Sequence, residues 1–69
     1  MFDKEEFLRE EIKRLAILVK HSESQKEKDG YIDMVNGLIL QASQSISFAF
    51  GDELEDIARS IAFEGNYEN

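Results

Sequence analysis

Three observations predict an all-α fold, a helical hairpin of two long helices closed by a short third one in the manner of a three-helix bundle. Apolar residues recur at helical spacing in three separate stretches, two acid-x-x-acid signatures stand where helices should begin, and the chain contains no proline to interrupt them. With 69 residues, 42% hydrophobic and 33% charged, the chain has the composition of one small folded domain, residues 1–69.

The first helix is predicted near residues 4–24. Asp3 and, three residues on, Glu6 match the capping box, in which the first side chain accepts from exposed backbone N–H groups and the second reaches back. Leu8, Ile12, Leu15 and Val19 follow at spacings of four, three and four, so they share one face, flanked by Ala16 and Leu18. The opposite face carries Glu5 with Arg9, Glu10 with Arg14 and Glu11 with Arg14 at ion-pairing distance along a helix. Beyond Val19 the stretch KHSESQKEKDG holds eleven residues without a hydrophobic one, and the helix is expected to run into it as a polar extension. The turn is expected at Lys28 to Gly30, where Asp29 can cap the next helix or Gly30 can take a left-handed backbone.

The second helix is predicted near residues 31–50 and is the densest apolar stretch. In a heptad register, Ile32, Ile39 and Ile46 occupy one seam position and Val35, Ala42 and Ala49 the other. Large Ile beside small Ala admits a close neighbour, so these six residues form the expected dimer seam, with Ser43, Ser45 and Ser47 as small residues beside it. A strand over Ile46, Phe48 and Phe50 is the competing reading, but no second stretch offers it a period-two partner. Gly51 stands where a helix-terminating glycine belongs.

The third helix is predicted near residues 53–63, with Asp52 and Glu55 as its capping box and Leu54, Ile57, Ala58 and Ile61 as its stripe. Residues 64–69 read as a tail. Chains this short build thin cores, and with no cysteine the chain has neither a disulfide nor a thiolate zinc site to staple it. Pairing of two hairpins into a dimeric helical bundle would bury the surplus apolar surface.

Charge separates the two halves. Residues 1–28 carry seven acids and seven bases, so the net charge of −7 resides in the remainder, where Arg59 is the one base. Such a domain is repelled by phosphate backbones, which argues against direct nucleic-acid binding and leaves a basic protein as a suitable partner. No apolar run approaches the roughly 18 residues of a membrane span, and no signal-peptide pattern is present, so the expected setting is cytoplasmic.

Candidate chemistry is sparse. The one histidine, His21, has no nucleophile or ligand set at a motif spacing. The acids of the stretch DELED, Asp52 to Asp56, lack the alternate-residue spacing of a calcium loop and suit a helix first turn. No catalytic, cofactor-binding or metal site is therefore expected, and no cofactor. Phe48 and Phe50, two residues apart, point about 200° from one another on a helix, so both cannot face one seam. The expected function is that of a small acidic, non-enzymatic interaction module or regulator, a homodimer that also engages an unidentified protein. Its candidate binding residues are Phe48, Phe50, Asp52, Glu53, Asp56 and Phe63. An acidic decoy for a nucleic-acid-binding protein is the alternative, and a small metal-dependent enzyme ranks last.

Overall fold

A computed structural model of the chain describes residues 2–64, and among them every regular element is helical: α1 (Lys4–Lys20), α2 (Gln25–Ser45), α3 (Phe48–Arg59) and a single wide π-turn (Ser60–Glu64) that extends α3. The expected residues 65–69 of the tail, including Tyr67, lie outside the described residues. No strand forms at Ile46–Phe50.

Helix α1 begins where its sequence signature places it, with the Asp3 carboxylate accepting from the Glu6 N–H at 3.2 Å. It stops four residues short of the expected position 24. His21 is its C-cap, the Ser22 hydroxyl donates to the Val19 carbonyl at 2.8 Å, and Ser24 is already the N-cap of the next helix. The Ser24 hydroxyl accepts from the Glu27 N–H at 3.1 Å, while the Glu27 carboxylate accepts from the Glu23 N–H at 3.2 Å. The Ser24 hydroxyl satisfies a backbone donor at the start of a new helix, so the chain turns at Ser22 to Ser24 and residues 25–30 of the polar stretch become the first turns of α2.

Helix α2 begins at Gln25 rather than Tyr31, so Asp29 and Gly30 lie within it and form no turn; the Gln25 amide donates to Asp29 at 2.8 Å one helical turn on. It ends at Ser45 rather than Phe50. Ser47 takes an extended backbone (φ −169°, ψ 155°) and its hydroxyl accepts from the Phe50 N–H at 3.0 Å, capping a third helix that begins five residues earlier than expected. The expected third-helix cap at Asp52 is therefore an interior position of α3.

Gly51, expected to end α2, sits buried inside α3 instead. A Cβ built on it would overlap the Ser43 hydroxyl and lie 3.1 Å from the Ser43 Cβ and 3.4 Å from the Ile39 carbonyl oxygen. The glycine suits the close approach of α2 and α3, where a side chain would make the Ser43 hydroxyl turn away and its Cβ give by a few tenths of an ångström; no backbone freedom is involved.

The core forms where the three stripes meet: Leu8, Ile12, Leu15, Ala16 and Val19 from α1, Val35 and Ala42 from α2, and Phe50, Leu54, Ile57, Ala58 and Ile61 from α3 and the π-turn. Val19 is buried like the rest at the end of the α1 stripe. The packing within one chain takes only part of the expected dimer seam. Val35 and Ala42 are buried within the chain, Ile32, Ile39 and Ile46 are half-buried, and Ala49 is exposed and belongs to α3 rather than α2. The radius of gyration, 11.8 Å, is close to the ~11 Å of a compact chain of this length.

Candidate protein-binding face

Helix α3 brings most of the sequence-selected residues to one region and divides them by role. Phe48, Asp52, Glu55 and Arg59 recur at spacings of four, three and four, which sets them along one outward face of the helix. Phe48 is 79% exposed, Asp52 and Asp56 are exposed, and the Arg59 guanidinium donates to Glu55 at 2.8 Å. Phe50, two residues from Phe48, is buried and 5% exposed; it presents no surface, and its expected place among the contact residues is corrected accordingly. The 200° between the two rings separates them, and packing on α1 takes Phe50.

The buried ring has a lid. The Arg9 guanidinium of α1 lies over Phe50, 5.2 Å from the ring centre, and donates through Nε to Glu53 of α3 at 2.5 Å. Its other nitrogens reach Glu53 at 3.4 Å, Glu5 at 3.5 Å and Glu6 at 3.6 Å. The hydrogen bond from Arg9 holds the Glu53 carboxyl below the ordinary carboxylate range, and Glu53 in return raises the Arg9 guanidinium further. Glu53 therefore fastens α3 to α1. Asp52 and Asp56, which make no ion pair among the described residues, are the acids of the region left facing solvent.

On the α2 side of α3 lies a groove of about 240 Å³. Its walls include Ile32 and Ile39 of α2 and Ala58 of α3, Ala16 and Val19 of α1 also line it, and Arg59 and Phe63 border it. Phe63 is 68% exposed there, on the π-turn. Sequence reasoning placed Ile32 and Ile39 in a dimer seam and did not select Arg59. Only the register of α3 against α2 reveals that these residues share a groove, and Gly51 and Ser43, which meet across that contact, are marked by no periodicity.

The remaining polar candidates have structural partners. Ser43 packs on Gly51, the Ser45 hydroxyl donates to the Gln41 carbonyl at 2.6 Å, and Ser47 caps α3. On α1, Arg14 pairs with Glu11 at 3.0 Å, and Glu10, expected to share Arg14, pairs with Lys13 at 3.3 Å. Among the described residues no group of three or more His, Asp or Glu side chains converges to hold a metal ion, and no helix is long and apolar enough to cross a membrane. What the region offers chemically is aromatic and aliphatic contact area edged with carboxylates.

Compared with protein-family models, curated protein sequences and solved structures, the chain matches none.

Proposed function

We propose that this protein is a non-enzymatic interaction module that binds a basic protein segment on the outward face of α3 and the adjoining groove. The observation that carries this reading is the exposure of Phe48 on α3 and of Phe63 on the π-turn that extends it, 79% and 68%, together with Asp52 and Asp56, which face solvent on α3. Large exposed aromatics cost solubility in a small domain and are the residue type that anchors protein contacts when water is excluded around them. Carboxylates at their edge raise the encounter rate with a cationic partner and disfavour acidic ones. Arg59, held to Glu55, supplies a planar donor at the groove border for a backbone carbonyl of the partner.

Self-association belongs to the same reading on a different footing from the heptad seam. A core this small leaves Met34 and Leu40 of α2 and Phe2 and Phe7 at the start of α1 exposed, and a second copy is the partner present at every concentration of the protein.

The partner-binding test is affinity capture from cell extract with the native chain and with a Phe48→Ala/Phe63→Ala variant of equal helicity. Proteins retained by the native chain, lost by the variant and released as salt rises support the reading. Capture indifferent to both rings and to salt overturns it.

A further inference from the structure

We infer that the connection between α2 and α3 is a two-state hinge, and that straightening it yields a domain-swapped dimer in which α3 of each chain packs on α1 and α2 of the other. The inference deepens the self-association part of the functional reading, rests on it, and is independent of partner binding. Two residues, Ile46 and Ser47, separate the helices, and neither is glycine or proline. Ser47 holds an extended backbone (φ −169°, ψ 155°), and Ile46, on the helical side of the map, departs from helix by about 55° in φ (φ −119°, ψ −73°). A change confined to these two residues fuses α2 and α3.

The sequence supports the fused form as well as the broken one. The heptad Ile32, Ile39, Ile46 and Val35, Ala42, Ala49 crosses the hinge without a shift. In a continuous helix at about 100° per residue, the stripe Phe50, Leu54, Ile57 and Ile61 follows that of α2 with a rotation of only roughly 60°. One long helix would then carry an unbroken apolar side that no single α1 can cover, because α1 has 17 residues. Two copies resolve this. Each α3 recovers in its partner the contacts it left, including Gly51 on Ser43 and Phe50 under Arg9, so closed and swapped forms differ mainly at the hinge. Against fusion stands the Ser47 cap at 3.0 Å from the Phe50 N–H, the local interaction that the extended hinge residue provides.

The experiment exploits the absence of cysteine. Ser43→Cys with Gly51→Cys places two thiols across the α2–α3 contact, where the Cβ positions lie 3.1 Å apart and need only a slight adjustment to reach disulfide spacing. Oxidised in the closed form the pair links within a chain; in the swapped form it links two chains into a covalent dimer. Ser47→Ala, which deletes the cap and favours helix at the hinge, should raise the interchain fraction about threefold or more at equal concentration. A Gly-Gly-Ser insertion between Ile46 and Ser47 should suppress it, since a longer hinge closes freely. On chains without cysteine, a mixture of labelled and unlabelled copies should show magnetisation transfer between Arg9 of one chain and Phe50 of its partner, strengthened by Ser47→Ala. Light scattering separates the failures. A dimer whose links are all intrachain, or with no interchain Arg9–Phe50 signal, overturns the swap and leaves self-association standing. A monomer at all concentrations in both the native chain and Ser47→Ala overturns both.

Discussion

Gly51 and Ser43 are in contact across the α2–α3 interface, closely enough that a single methyl on Gly51 would displace the Ser43 hydroxyl. Gly30 and Gly37, by contrast, sit inside α2 with open space where a Cβ would go. Glycine in a helix interior costs about 0.5–1 kcal/mol relative to alanine, so Gly30→Ala and Gly37→Ala should each stabilise the protein by that amount. Gly51→Ala should destabilise it by about 1 kcal/mol, because overlap in a packed interface outweighs the gain in helix propensity. Ser43→Ala should recover part of that loss. Denaturant midpoints of the four variants check the signs.

Leu54 is fully buried at the meeting of the helices, whereas Leu40 is 59% exposed on α2. Leu54→Ala should cost about 2–5 kcal/mol, comparable to the whole stability of a chain this small, and leave much of the population unfolded at room temperature. Leu40→Ala should stay within about 0.5 kcal/mol. Thermal melts followed by circular dichroism distinguish the two.

Acid should loosen the attachment of α3 to α1. The hydrogen bond from Arg9 lowers the Glu53 carboxyl in the folded protein, as Arg14 lowers Glu11. A carboxyl depressed by folding contributes its full stability above the ordinary value of about 4.3 and loses it as pH falls through the lower folded value. The melting temperature should therefore fall below that pH, and less steeply in Arg9→Met, which keeps an apolar stem over Phe50 but releases Glu53. Both pairs are exposed, so added salt should shrink the difference. A carboxyl titration of Glu53 by NMR reads the shift directly and should return it to the ordinary range in the variant.

Ser24 caps α2 through the Glu27 N–H, whereas Asp52 lies inside α3 and caps nothing. Ser24→Ala should cost about 1 kcal/mol, and Asp52→Asn should leave stability unchanged within about 0.5 kcal/mol. Equal losses from the two substitutions, measured by urea titration, would contradict the helix boundaries given above.

The faces of the helices were legible in the sequence far better than their ends. Leu8, Ile12, Leu15 and Val19, and again Leu54, Ile57 and Ile61, are buried as their spacing requires, since that period reports which side of a helix avoids water. The ends at Lys20 and Ser45 depend on Ser24 and Ser47. Ser24 lies in a stretch with no apolar period to interrupt, and Ser47 lies in one whose period continues past it. Serine is tolerated within helices as well as at their caps, so its effect is decided by whether the following segment finds a better surface by turning back. For α3 it does, over α1 and α2. The binding face was legible only in part, because Phe48 and Phe50 are separated by helical geometry alone, while the groove between α2 and α3 requires their mutual register.

Arg9 and Glu53 stand 44 residues apart in the chain, and every other side-chain ion pair named above spans three or four. Connections of four and two residues let each helix find its neighbour early, and chains dominated by such local contacts fold within about microseconds to milliseconds. The clasp between first and last helix forms only after both turns have closed. Its loss should leave the rate of folding nearly unchanged and quicken unfolding only modestly, as suits an exposed pair, so that it lengthens the life of each native molecule without hastening its making.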